Sequence, residues 1–342
     1  MHKAQRWLAS KASCSVTTSR RFSTTPPCSI YQPLPTLDDA SVDLFREKYF
    51  NPERPAALPR GHFRQSLPAY ERWFRPSSSS SSSFVLNVEY LKEHAADAFV
   101  PLELTRPSSP STETNRDGTF ARFRAPLKLF LEWTQLDGMD SPTRVYLAQC
   151  QLLDIPKVLR DDLPTPALVT QSGRGDVYDT NIWVGLPPTY TPLHRDPNPN
   201  LFVQLAGQKV VRLLPPDDGW ALFASVRQLL GRSGAWEAAV FRGDEMMQGD
   251  ERLLLDQAVW KDTSRTSTPG KEGYETILGP GDALFIPKGW WHSIKGIGNS
   301  VTASVSWPIA LFSPMSIDVY LFSLLRSIIG QLVVQVILPS IV

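Results

Sequence analysis

His194 and Asp196 stand two residues apart in the run Leu193-His194-Arg195-Asp196-Pro197. On an extended strand, residues i and i+2 project from the same face, so an imidazole and a carboxylate would sit side by side. Both are metal ligands, and the pair needs a third. Of the five histidines, His2, His62, His94, His194 and His292, only His292 shares the β-rich half of the chain with His194. Two histidines and one carboxylate form the facial ligand set of non-haem iron(II) oxygen chemistry, which leaves three adjacent coordination positions open. The three cysteines, Cys14, Cys28 and Cys150, are too scattered for a thiolate site or a disulfide framework. Metal chemistry here falls to histidine and carboxylate.

A single His-x-Asp occurs by chance in many chains, and its surroundings give it weight. Pro280-Gly281-Asp282 reads as a turn, 283–286 as a buried strand, and 287–291 as a lead that brings His292 inward. A zinc hydrolase would also use His and Asp, but it needs a separate general base, and none stands at motif spacing. Lys209 follows Ala206-Gly207-Gln208 at the start of another strand. A lone lysine usually snorkels at a strand edge. One that enters a β core is costly unless it meets an anion, and so near a metal motif it reads as a clamp for a dicarboxylate cosubstrate.

These side chains need rigid strands to position them. Short β-type runs bounded by Gly and Pro follow Tyr146: 180–186, 201–205, 209–214, 274–278, 283–286 and 301–307. This pattern argues for an antiparallel sandwich or barrel. An insertion, 217–273, is partly helical and rich in charge; insertions of this kind are functional loops or disordered. Residues 38–145 form an N-terminal extension expected to pack on the barrel, with helices at 38–50, 90–98 and 127–136, an amphipathic piece at 66–74 and an extended piece at 100–104. The seven serines of 77–83 read as a surface loop or linker. The fold class is mainly β (α+β), a barrel or sandwich core with an N-terminal helical extension and apolar C-terminal helices at 311–342.

The segment from Tyr146 to Trp307 resembles the Jumonji C (JmjC) family of iron and 2-oxoglutarate oxygenases, and within it the small hydroxylase-type members. Gly281, Pro287, Gly289 and His292 match the second metal motif of cupin barrels. The resemblance is also carried by Tyr146-Leu147-Ala148-Gln149, Asn181-Ile182-Trp183, Pro192-Leu193-His194-Arg195-Asp196, Asn200-Leu201-Phe202-Val203-Gln204 and Gly207-Gln208-Lys209. It extends upstream through Pro55–Gly61, Pro68–Trp73 and Val100-Pro101-Leu102-Glu103. It implies a double-stranded β-helix, or jelly roll, over 146–310, with His194, Asp196 and His292 on Fe(II). It further implies that Lys209, Tyr146 and Thr191 hold the distal carboxylate of 2-oxoglutarate, that Asn200 is a polar neighbour of it, that Trp183 lines the cavity near the metal, and that Ser306 contributes to the site. Dioxygen would be the oxidant. The substrate expected is a protein side chain. Lysine demethylation, tRNA-base hydroxylation and a non-catalytic cupin-type binding module are the alternatives.

Composition and chain ends set the remaining expectations. With 35 Lys+Arg against 34 Asp+Glu the net charge is +1, so no global basic field recruits nucleic acid. Residues 1–37 hold no Asp or Glu but do hold Lys3, Arg6, Lys11, Arg20 and Arg21 among many Ser, Thr and Ala. That is the composition of a mitochondrial transit peptide; a disordered basic tail on a nuclear or cytoplasmic protein is the alternative. Residues 327–342 carry no charge. That run falls short of the roughly 20 residues a membrane helix needs, which favours a helix buried on the barrel or across a homodimer interface.

Overall fold

A computed structural model describes residues 31–77, 80–106, 119–136, 142–232, 244–261 and 273–311. The chain opens with β1 (Tyr31–Pro33), α1 (Val42–Phe45) running into a π-helical turn (Arg46–Phe50), β2 (Ala56–Ala57) and α2 (Ala69–Arg72). Then come β3 (Phe74–Ser77), β4 (Ser80–Leu86), α3 (Val88–Ala95), β5 (Phe99–Arg106), β6 (Thr119–Pro126) and α4 (Leu127–Gln135). β7 (Arg144–Gln151) and two short helices, α5 (Lys157–Arg160) and α6 (Ala167–Ser172), lead to β8 (Asn181–Gly185), β9 (Tyr190–Arg195), β10 (Asn200–Ala206) and β11 (Gln208–Leu214). After α7 (Pro216–Leu229) and α8 (Gly249–Trp260), the chain closes with β12 (Gly273–Leu278), β13 (Ala283–Ile286), β14 (Trp291–Ile297) and β15 (Thr302–Pro308).

The strands form two principal sheets, ordered β2-β13-β10-β15-β8-β7-β5-β6 and β1-β12-β11-β14-β9. From β8 to β11 and again from β12 to β15 the strands alternate between them, with the β11–β12 pair joining the two runs within the smaller sheet, the winding of a jelly roll. Three apolar clusters divide the work of burial. On the outer face of the larger sheet, Leu201, Val203, Val305, Trp307 and Phe285 pack against Phe45, Phe50, Phe130 and Leu131 of the N-terminal helices. Between the sheets lie Phe202, Val211, Leu213, Leu284, Ile286 and Ile294. Outside the smaller sheet, Leu193 and Trp291 meet Leu222, Phe223, Val226, Leu255 and Val259. Burying one such side chain is worth roughly 1.5–3 kcal/mol.

Strand alternation decides what enters the barrel. In β15, Ala303, Val305 and Trp307 point out into the apolar layer, so Thr302, Ser304 and Ser306, all buried, point in. β10 repeats the pattern, with Leu201, Val203 and Leu205 outward and Asn200, Phe202 and Gln204 inward. β10 and β15 thus turn a largely polar wall to the barrel interior, which the apolar side chains of β11, β13 and β14 complete.

Three expectations are revised, and the partly helical insertion takes its place on the sheet. β5, β6 and β7 continue the larger sheet beyond β8, so 38–145 shares a sheet with the barrel, and the 145/146 boundary falls inside β7. Tyr31–Pro33 pairs in parallel with β12, and Tyr31, Leu34 and Leu37 are buried; residues 31–37 therefore belong to the fold rather than to a leader. The serine run is largely strand: Ser80 begins β4, which pairs with β3 through Phe74↔Leu86 and Arg75↔Val85. Backbone hydrogen bonds are indifferent to side chain, so flanking Phe84, Val85 and Leu86 can carry serines into a hairpin. The insertion packs α7 and α8 onto the smaller sheet; α7 starts at Pro215-Pro216 with Asp217 and Asp218 in its first turn, as a helix start favours. Residues 1–30 and 312–342, which carry most of the expected leader and the expected C-terminal helices, lie outside the described residues. No helix among the described residues is long and apolar enough to cross a membrane.

One buried acid anchors the extension. Asp162, 0% exposed, accepts hydrogen bonds from Arg72 Nη1 (2.6 Å), Trp73 Nε1 (2.8 Å) and the Tyr90 hydroxyl (2.8 Å).

Candidate metal centre

His194 lies near the end of β9, Asp196 just beyond it, and His292 in β14 directly opposite His194. One ligand atom from each lies within 4.8 Å of the others. Asp196 offers one oxygen to each ring: Oδ1 is 3.7 Å from His194 Nε2 and Oδ2 is 3.7 Å from His292 Nε2. These gaps exceed hydrogen-bond length.

The other ring nitrogens are committed. His194 Nδ1 is 2.9 Å from the Pro192 carbonyl and His292 Nδ1 is 3.1 Å from the Trp290 carbonyl. A carbonyl only accepts, so each Nδ1 carries the proton and each Nε2 presents a lone pair. Burial, then the adjacent His194, pushes His292 down to about 4, which keeps the ring neutral as a ligand must be. Two lone pairs and a carboxylate facing one point repel each other unless a cation sits between them. The donor set therefore fits a divalent metal, and with two histidines and one carboxylate it fits iron(II).

β9 achieves this with a bulge. Thr191 and His194 are three apart and would face opposite ways on a regular strand. The register runs Ile294↔Thr191 and then His292↔His194, so β9 carries one extra residue and both side chains enter the barrel. Ser293 stabilises the bulge by donating to the Thr191 carbonyl at 2.8 Å.

Lys209 lies on the same interior face, in the strand next to β14. Leu213 is paired with His292 and Lys209 with Gly296, so the lysine is four residues, about 13 Å, farther along the barrel. It is 2% exposed, and no carboxylate lies within ion-pair distance of it among the described residues. Nζ donates to Ser304 Oγ at 2.6 Å and to the Tyr146 hydroxyl at 3.3 Å, and it lies 5.4 Å from the Phe202 ring centre. Burial pushes it down to about 7. Tyr146 is raised, chiefly by burial and then by Glu103, against a hydrogen bond with the Thr189 side chain. Room for the Tyr146 ring comes from Gly185, where a Cβ would stand 2.5 Å from Tyr146 Cδ2. A buried ammonium without an anion fits a dicarboxylate whose far end lies here.

Of the residues expected from the sequence, Lys209 and Tyr146 meet at this end. Thr191 shares the face one row nearer the histidines, opposite Ile294. Asn200 and Ser306 pair at 3.2 Å, and Asn200 Oδ1 is buried without a partner. Trp183 is opposite Ser304 on the interior face, 6.4 Å from Phe202 between ring centres. Ser304 and Thr189 were missed. The polar alternation Thr302, Ser304, Ser306 carried the signal for Ser304; Thr189 lies in the turn before β9 and had none.

Residues 42–308 match the cupin-like domain family. The chain is 27% identical to lysine-specific demethylase 8 of Danio rerio over 80% of this chain and 58% of that protein. It is 26% identical to lysine-specific demethylase JMJ30 of Arabidopsis thaliana, over 78% of this chain and 53% of the relative. It is 24% identical to Jumonji C domain-containing protein 5 of Drosophila melanogaster, over 80% and 59%. The chain thus spans somewhat more than half the length of these curated relatives. With the ligand strands, the jelly-roll winding and a match across most of its length in agreement, the chain belongs to the cupin-like domain family.

Proposed function

We propose that this chain is an Fe(II)- and 2-oxoglutarate-dependent dioxygenase that hydroxylates a C–H bond of a protein side chain. The observation that carries the reading is the pairing, on one interior face, of a three-ligand metal centre with a buried, anion-free lysine. Iron held by His194, Asp196 and His292 would supply the oxidative decarboxylation of 2-oxoglutarate to succinate and carbon dioxide, with one atom of dioxygen in succinate and the other in the hydroxylated product.

The chain's own residues supply orientation and charge. Lys209, assisted by Tyr146, Ser304 and Thr189, takes the distal carboxylate. The Nδ1 bonds to Pro192 and Trp290 hold both rings with Nε2 toward the metal. Phe202 and Trp183 wall the space between the two ends and limit water.

A near-zero net charge supports a protein substrate over a nucleic acid. Lysine demethylation is the second reading, favoured by the names of two relatives; it shares the same oxidation, with loss of a hydroxymethyl group. The compartment proposed is the mitochondrion, on the acid-free basic composition of residues 1–30.

The test is succinate release by the purified chain with Fe(II), 2-oxoglutarate and dioxygen, followed by mass spectrometry of candidate peptides. A gain of 16 Da on a side chain supports hydroxylation, and formaldehyde supports demethylation. Metal binding with no cosubstrate turnover, coupled or uncoupled, would leave a binding module instead. His194→Ala should abolish succinate release.

A further inference from the structure

Both ligand histidines are flanked by residues that point out of the barrel and into the insertion. His194 lies between Leu193 and Arg195, and His292 between Trp291 and Ser293. Leu193 and Trp291 belong to the apolar layer under α7 and α8. Arg195 is paired across the strands with Trp291. Its guanidinium carbon lies 5.5 Å from the Trp220 ring centre and 5.6 Å from that of Trp291. No carboxylate within ion-pair distance holds it among the described residues, and its Nε is buried without an acceptor. The two indoles are therefore its principal partners, and Trp220 comes from α7.

α7 also contacts Trp291 directly. Gly219 of α7 rests on that ring, where a Cβ would fall 2.2 Å from Trp291 Cγ. Phe223, one turn on, is 5.3 Å from it between ring centres. Ser293 is gripped by α8: Trp260 Nε1 donates to Ser293 Oγ at 2.9 Å, and that hydroxyl donates to the Thr191 carbonyl across the β9 bulge. Every outward neighbour of the two ligands is thus held by the insertion.

We infer that Arg195 is a positioning residue for the metal centre, and that the insertion acts through it as a buttress. This inference rests on the metal-centre reading above. Arg195 sits between two ligands in the chain, so its side chain sets the twist of the backbone that aims His194 and Asp196. The guanidinium lies against both Trp220 and Trp291, whose ring centres are themselves 6.2 Å apart, and so ties that backbone to the strand that carries His292. A flexible lysine keeps the charge but not the planar fit. Groups that orient metal ligands from behind typically change metal affinity by about 10- to 100-fold when replaced.

The experiment titrates the full chain with Mn(II) alone and records the d–d spectrum of the Co(II)-loaded protein. It compares the parent with Arg195→Met, Arg195→Lys and Trp220→Leu. Trp220 is only partly buried, so its replacement by an apolar side chain spares the fold should Arg195→Met not fold. Expected are about tenfold weaker Mn(II) binding in Arg195→Met and Trp220→Leu, partial recovery in Arg195→Lys, and a shifted Co(II) spectrum, with the thermal midpoint in chelator little changed. Mn(II) affinities within about twofold of the parent in folded variants overturn the inference and leave the metal centre standing. A loss of affinity that tracks a fallen metal-free midpoint, with an unaltered Co(II) spectrum, also overturns it, since Arg195 would then only stabilise the fold. A parent that binds no Mn(II) overturns the metal-centre reading itself and this inference with it.

Discussion

Lys209 Nζ lies 2.6 Å from Ser304 Oγ inside the barrel, and the pair has no carboxylate partner among the described residues. An ammonium desolvated in this way loses its proton at about 7, against an ordinary value of 10.5.

The unfolded chain keeps that proton up to about 10.5, so between pH 7 and 10.5 it binds more protons than the folded chain. The empty protein should therefore gain stability as pH rises through this window, with the penalty fully present below pH 7. A bound dicarboxylate needs the charged form, so 2-oxoglutarate affinity in the Mn(II)-loaded chain should be flat below pH 7 and fall by about tenfold per unit above it. Calorimetry in buffers of different ionisation heat reads the proton uptake directly. Lys209→Met should weaken binding by about 100-fold or more and remove the pH dependence; an unchanged slope would show that Lys209 does not meet the cosubstrate.

Gly185 is the space that Tyr146 occupies. Gly185→Ala should displace the ring from Lys209 and raise the KM for 2-oxoglutarate by about tenfold, the cost of losing roughly 1.4 kcal/mol of binding. Mn(II) affinity should stay as in the parent, because the ligand histidines are in other strands. Equal effects on metal and cosubstrate would contradict this separation.

Asp162 is fully buried and holds Arg72, Trp73 and Tyr90 together. Removing it strands the Trp73 and Tyr90 donors, while the half-exposed Arg72 rehydrates, so Asp162→Ala should cost about 2–4 kcal/mol in urea unfolding. Trp73→Phe, which deletes one donor, should cost about 1–3 kcal/mol. A loss below 1 kcal/mol for Asp162→Ala would mean that water replaces the network.

Tyr31 ties the first strand to the barrel, with the Arg212 guanidinium 4.5 Å from its ring centre and 4.6 Å from that of Trp260. A chain beginning at Asp38 should melt about 5 °C or more below one beginning at Tyr31, from the lost tyrosine burial and cation–aromatic contact. The mitochondrial proposal adds that the mature N-terminus, read by mass spectrometry from isolated organelles, falls at or before Tyr31. A processed form starting beyond Pro33, or exclusion from the organelle, contradicts it.

Much of the barrel was legible because its strands alternate. The runs at 201–205, 209–214, 274–278 and 283–286 become β10 to β13 with ends moved by a residue or so. β9 and β14 were harder to see. β9 has a proline and a bulge within six residues, and β14 mixes Trp, His, Ser and Lys because its two faces meet a metal centre and an aromatic layer. The serine hairpin and the strand at Tyr31 were hidden for another reason: their partners, Phe74–Ser77 and Gly273–Leu278, decide their conformation, and local composition does not report a partner.

The sequence by itself determined the ligand types and the scaffold period: His194 and Asp196 at strand spacing, His292 after a Gly–Pro turn, Lys209 at the head of an apolar strand. Each depends on neighbours within a few residues, where bond geometry dictates which side chains share a face. Only the tertiary structure decided which residues share the chamber. It put Ser304 and Thr189 beside the Lys209–Tyr146 pair, used a bulge to turn Thr191 inward with His194, emptied Gly185 for a ring from another strand, and laid the insertion across the backs of both ligands. These are pairings between distant segments, set by sheet register and by the packing of side chains in a filled volume, and local spacing does not encode them.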